Sequence, residues 1–130
     1  MSFPSRYISV LIQKPVEEVY KFTSQPENMP KWAAGLSGSI SQDGDHWISH
    51  SPMGKVKVFF TPSNDLGVLD HDVVLESGDK FHNPLRVIKN GDFSEVVFTL
   101  FRMPGVSDDD FSRDAQMVLT DLKKLKSLLE

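Results

Sequence analysis

Six apolar residues near the C-terminus, Phe111, Ala115, Val118, Leu122, Leu125 and Leu129, step by 4, 3, 4, 3 and 4 positions. That rhythm puts all six on one stripe of an α-helix. Ser107, three residues before Asp110, has the spacing of an N-cap, and Asp108 and Asp109 favour the same end. Lys123, Lys124 and Lys126 place positive charge near the other end, again matching the helix dipole. Some 22 helical residues extend roughly 33 Å, more than the roughly 26 Å of an eight-residue strand. A stripe this long must be buried, and the rest of the chain has to provide the surface that buries it.

The upstream chain is rich in extended patterns. Arg6 to Gln13 alternates, with Ile8, Val10 and Ile12 on one face, and reads as a strand ended by Lys14-Pro15. Val16, Val19, Tyr20 and Thr23 then recur at helical spacing, and a second short helix from Pro26 carries Met29 and Trp32. Beyond it, turn chemistry recurs at Asp43-Gly44-Asp45, Pro52-Met53-Gly54, Asn64 to Gly67, Ser77-Gly78-Asp79 and Asn90-Gly91-Asp92. Six strands are predicted between these turns: 36–41, 46–51, 55–61, 68–76, 81–89 and 93–102. Connections this short give antiparallel neighbours. The expected fold is therefore α+β: a curved, seven-stranded antiparallel sheet wrapped around the long terminal helix, forming one domain over residues 1–130. A two-residue turn at Asn90-Gly91 would set Arg86 opposite Glu95. A coiled-coil dimer through the helical stripe is the competing arrangement, but it would leave the sheet uncovered.

Composition removes several classes of function. The chain has 130 residues, a formal net charge of -4 and no cysteine. Disulfides, thiolate metal sites and a thiol nucleophile are excluded, and no basic field exists to attract a nucleic acid. No stretch approaches the ~20 apolar residues of a membrane span, and the first ten residues lack a signal-peptide pattern. A cytoplasmic location is the expectation. His46 and His50 lie too far apart along one strand to share a metal ion, and no His-Glu-x-x-His, Gly-x-Ser-x-Gly or phosphate-cradling glycine motif occurs. Neither a metal nor a cofactor is expected.

The order of elements resembles the SRPBCC superfamily, the helix-grip group that includes START lipid-transfer domains, polyketide cyclase/dehydrase-like proteins and the major birch-pollen allergen. The resemblance rests on Lys14-Pro15-Val16-Glu17-Glu18-Val19 and on Pro26-Glu27-Asn28 leading to Trp32. It continues through Gly67-Val68-Leu69-Asp70-His71-Asp72, Arg86-Val87-Ile88, residues 94–100 and the terminal Asp121 to Lys126. It spans nearly the whole chain and implies a ligand cavity between the concave sheet and the C-terminal helix. It does not select an activity, because carriers, cyclases, hydroxylase subunits and co-chaperone domains share this scaffold.

Within that frame His71 is the main candidate. Alternation sets Leu69, His71, Val73 and Leu75 on one face and Asp70 and Asp72 on the other, so neither aspartate can orient the ring. His71 is then either a core histidine bonded to a neighbouring strand or a polar anchor for a ligand carbonyl or hydroxyl. Trp32 borders the expected cavity mouth, and Trp47 lies on a strand whose inner face is ambiguous. Arg86 is either half of a surface pair with Glu95 or a cation awaiting an anionic ligand. Phe60, Phe98, Phe111, Met103, Met117 and Val118 are apolar candidates for core or cavity. The leading expectation is binding of a small hydrophobic or amphipathic molecule. The alternatives are a cyclase/dehydratase-like enzyme using His71 as acid or base with Arg86 or His50, and a co-chaperone- or antitoxin-like interaction module. Free edges on an open sheet would also permit a homodimer.

Overall fold

The structure is a computed structural model describing residues 1–36, 38–52 and 54–130. Ser37, inside the expected strand 36–41, and Met53, inside an expected turn, lie outside the described residues. Among the described residues the order is β1 (Ser5–Ile12), α1 (Val16–Thr23), α2 (Met29–Trp32), β2 (Ile40–Asp43), β3 (His46–Ser51) and β4 (Gly54–Phe60). β5 (His71–Val74), β6 (Lys80–Asn83), β7 (Leu85–Asn90), β8 (Phe93–Phe101) and α3 (Asp108–Leu129) follow. Short 3-10 turns at Pro26–Asn28 and Ala34–Leu36 flank α2. The chain at Leu36 is therefore helical, not the start of a strand as expected.

The expected single sheet of seven strands is two antiparallel sheets, β1-β8-β7 and β2-β3-β4-β5-β6. Pro84 is the reason. It interrupts the predicted strand 81–89 because it has no N–H to contribute to a ladder, and the run divides into β6 in one sheet and β7 in the other. The predicted strand 68–76 contracts in parallel to His71–Val74, leaving an isolated bridge between Val68 and Arg86.

In the three-stranded sheet Ile8, Val10 and Ile12 stand opposite Phe98, Val96 and Ser94, and Leu85 and Val87 extend the first two rows. In the five-stranded sheet Val58 faces Trp47 on one side and Val73 on the other, while Phe60 faces His71. Val56, Val58, Val96, Leu85 and Ile12 are fully or almost fully buried. At about 25 cal/mol per Å² of apolar area removed from water, such inner-face rows dominate the folding free energy.

α3 carries the expected stripe: Phe111, Ala115, Leu122 and Leu125 are buried, and Val118 and Leu129 are partly buried against the core. It packs chiefly along β1, with smaller contacts to α2 and β8. Ser107 Oγ accepts the Asp110 N–H at 3.1 Å, completing the predicted cap. At the far end Lys126 Nζ donates to the Leu11 carbonyl at 2.7 Å and Gln13 N–H donates to Glu130 at 2.8 Å. The helix is thus tied to β1 at its C-terminal end.

Candidate functional site

The site grows out of the break between the two sheets. Val68 pairs with Arg86 and His71 with Asn83, so Leu69 stands opposite Leu85 and Asp70 opposite Pro84 in one continuous register. Val87 N–H donates to the Gly67 carbonyl at 2.9 Å and Leu69 N–H to the Leu85 carbonyl at 2.8 Å. The Leu85 N–H turns instead to Asp70 Oδ1 at 2.9 Å, and the Leu69 carbonyl accepts from His71 Nδ1 at 3.1 Å. Two adjacent side chains thereby satisfy the two backbone groups that a regular ladder would have paired.

This arrangement assigns the histidine tautomer. A carbonyl only accepts, so His71 Nδ1 carries the proton and Nε2 of the neutral ring keeps its lone pair. His71 is 5% exposed, and burial pushes its imidazole below the ordinary histidine value. Its ring lies 5.9 Å from that of Phe60, its cross-strand neighbour.

Asp70 points to the opposite face, where Arg86 Nε and Nη2 donate to its two carboxylate oxygens at 2.8 Å each. The guanidinium holds the Asp70 carboxyl below the usual carboxylate range. The expected pairing of Arg86 with Glu95 does not form. The β7–β8 turn residues are Gly91 and Asp92, with Asn90 opposite Phe93, so Glu95 faces Ile88 and Arg86 faces Val97.

On the inner face, a cavity of about 120 Å³ lies against His71. Tyr20, Thr23 and Ser24 of α1 and its C-terminal end, Gln25, and Met29 and Trp32 of α2 form one wall; Phe60, Thr61, Ser63, Leu69, His71 and Leu85 form the other. The loop after β4 is built by Asn64. Its Oδ1 accepts from the Leu66 and Val68 N–H groups, and its Nδ2 donates to the Pro62 and Val68 carbonyls. Asn64 N–H donates to the Tyr20 hydroxyl at 2.9 Å, joining this loop to α1. Gly67 closes the loop at φ +70°, where a Cβ would stand 2.2 Å from the Val87 carbonyl oxygen. Glycine alone fits there. Trp32 Nε1 and Thr23 Oγ1 are buried and have no hydrogen-bond partner among the described residues. Native proteins rarely leave such groups unpaired.

His71, Trp32 and Phe60 therefore come together as candidates, on the α1–α2 side of the sheet. The cavity is not where it was expected, since its lining includes no residue of α3. Phe98 and Val118 pack partly buried against the core. Phe111 is buried with the Arg6 guanidinium 5.0 Å from its ring centre. Trp47 shares the inner face with Val58 but does not line the cavity, Met117 is 51% exposed, and Met103 lies in a separate outer groove. Arg86 and His50 are exposed and stand apart from the cavity, which removes the partners expected for His71 as an acid or base. Sequence reasoning set Leu69 on the His71 face without naming it as a cavity wall, and it missed Leu85 and the Asn64 loop. It had placed Thr23 only in a helical stripe. No local motif marks these roles.

No family model matches the chain, and no curated protein does. Solved structures do. An uncharacterised protein from Bacillus thuringiensis superposes with a TM-score of 0.77 at 16% identity, covering 97% of this chain and 98% of that one. An Aha1 dimer from Colwellia psychrerythraea gives 0.76 at 16% identity over 98% and 96% of the two chains. DynU16, from the dynemicin biosynthetic locus, gives 0.74 at 13% identity; the match spans 96% of this chain but 46% of that one. The fold is helix-grip-like. Identities this low carry the fold and no activity. No helix among the described residues is long and apolar enough to cross a membrane.

Proposed function

We propose that this chain is a small-molecule-binding protein of the SRPBCC type, with its site in the cavity between the α1–α2 segment and the strands around His71. The observation that supports this reading is a cavity lined by the buried neutral His71 together with Thr23, Trp32 and the apolar side chains of Met29, Phe60, Leu69 and Leu85. Small-molecule sites are concave, mostly apolar and carry a few placed polar groups, which is the make-up of this lining.

At about 120 Å³ the cavity is smaller than the ~300–1,000 Å³ typical for a drug-sized ligand. It suits a small molecule, or one end of an amphipathic molecule whose remainder passes the exposed rim at Gln25 and Ser63. A native mass-spectrometry screen of lipids, polyketides, quinones and aromatic metabolites tests the proposal. At least one class should bind at 1:1 and lose affinity in His71→Leu and Trp32→Phe; uniform silence across the screen would overturn it.

A separate observation supports self-association as a second reading. Phe3, Phe81, Leu100, Phe101 and Met103 line an apolar groove of about 340 Å³ beside β6, the outermost strand of its sheet. A free sheet edge next to apolar surface fits a second copy of the chain, and one structural neighbour is a dimer. Sedimentation velocity of the wild type and of Phe81→Glu checks this: the variant should shift toward monomer, and a monomeric wild type would end the reading.

A further inference from the structure

The edge that β6 offers to a second copy has a backbone phase fixed by the bonds around it. Leu69 N–H donates to the Leu85 carbonyl at 2.8 Å, and Leu75 N–H donates to the Asp79 carbonyl at 2.9 Å. Between these bonded pairs the antiparallel register runs His71–Asn83, Asp72–His82, Val73–Phe81 and Val74–Lys80. Bonded and non-bonded pairs alternate in such a ladder, so Phe81 and Asn83 direct their backbone groups to β5. The N–H and C=O of Lys80 and His82 therefore point out at the open edge. Pro84 agrees with this phase, since its carbonyl faces the same way and accepts the Thr99 N–H of β8 at 3.0 Å. Past that bond β8 no longer pairs with this strand, and among the described residues no hydrogen bond reaches the Lys80 or His82 backbone.

The side chains leave that edge open. A lysine at a sheet edge commonly blocks strand pairing. Here Lys80 Nζ folds back across its own sheet to Asp72 Oδ2 at 3.3 Å, and His82 Nδ1 donates to Asp72 Oδ1 at 2.6 Å. The Asp72 carboxylate thus offsets the positive charge on the outer face of the edge. On the inner face Phe81, cross-strand neighbour of Val73, is 37% exposed and borders the apolar groove with Phe3, Leu100, Phe101 and Met103.

A second copy can meet this edge about a two-fold axis normal to the sheet in only a few registers. Inner-face residues must oppose inner-face residues, so the axis passes through a residue of the strand and not between two. Centred on Lys80, the axis opposes two lysines. Centred on His82 or Asn83, it sets a bonding residue against Pro84, which has no N–H and whose carbonyl is already taken. Centred on Phe81, it pairs Lys80 of each copy with His82 of the other, and each pair exchanges both N–H···O bonds. The two Phe81 rings then stand directly across the axis, in the closer, non-bonded pair. We infer that two copies of this chain join β6 to β6 in antiparallel register centred on Phe81, making one continuous sheet. This rests on the self-association reading above and adds its register.

The chain has no cysteine, so single-cysteine variants of the full chain read the register by oxidation. At a non-bonded pair the Cα atoms stand about 4.5 Å apart, inside the roughly 4.4–6.8 Å that a disulfide spans. The two copies of Lys80, or of His82, would stand about 8 Å apart, too far to bridge. Phe81→Cys should therefore give a disulfide-linked dimer at least about tenfold faster than Lys80→Cys or His82→Cys. In the wild type, hydrogen exchange at the Lys80 and His82 amides should slow as protein concentration rises, which decides the matter where a variant fails to fold. A monomeric wild type in sedimentation velocity would overturn self-association and this register together. A dimeric wild type in which Lys80→Cys or His82→Cys links fastest, or in which those amides stay unprotected, would leave self-association standing and overturn the register.

Discussion

Leu69 and Leu85 stand opposite each other in antiparallel register, yet a single backbone bond, from Leu69 N–H to the Leu85 carbonyl, joins them. The return connection is divided between side chains, with Asp70 taking the Leu85 N–H and His71 bonding the Leu69 carbonyl. Consecutive residues point to opposite faces of a strand. The same substitution of side chains for a backbone bond therefore builds an ion pair outside and orients an imidazole inside.

Asp70 should matter more than its partner. Arg86 is half exposed and its loss removes one bidentate pair, so Arg86→Ala should cost about 1 kcal/mol. Asp70→Ala also orphans the N–H of Leu85, a residue 1% exposed, and should cost about 2 kcal/mol. Urea unfolding of the two single variants and the double variant measures both numbers and their coupling. The folded pKa of Asp70 is depressed, so its contribution is complete above the unfolded value near ~3.9 and fades as pH falls through the lower folded value. Asp70→Asn should flatten the acid limb of the stability curve.

His71 makes a prediction in a different pH window. Its folded value lies below the unfolded value of ~6.5, so below that pH the unfolded chain binds more protons at this position. Stability contributed by the neutral buried ring is complete above about pH 6.5 and declines as pH falls toward the folded value. His71→Gln should have a flatter urea midpoint between pH 7 and 5 than the wild type; equal slopes would contradict the buried neutral assignment.

Asn64 holds the loop that walls the cavity through four hydrogen bonds from its side chain. Replacing it with alanine should cost about 2 kcal/mol. It should also raise hydrogen exchange at the Leu66 and Val68 amides more than elsewhere. Uniform protection changes across the protein would show that the loop is held by other contacts.

The cap of α3 can be tested independently of the site. Ser107→Ala removes the acceptor for the Asp110 N–H and should lower stability by about 1 kcal/mol. Ligand affinity should stay unchanged, because α3 contributes no cavity residue. Thermal unfolding and native mass spectrometry of the same sample check the two halves of this statement.

Local periodicity made much of the protein readable from its sequence. The stripe from Phe111 to Leu129, the Ser107 cap and the opposite facing of His71 against Asp70 and Asp72 follow from 3.6- and 2-residue repeats, which are properties of the backbone itself. The sequence reading also picked out His71, Trp32 and Phe60 as binding candidates, and these meet at one cavity. What it could not contain was any relation that depends on how distant segments register. Arg86 chose Asp70 over Glu95 because the β7–β8 turn sits one residue later than assumed and because Pro84 broke the strand beside it. The cavity lies beside α1 and α2 because the loop after β4, bonded to Tyr20, and the Leu69–Leu85 junction meet there. Those contacts join residues far apart in the chain, and no local pattern encodes them.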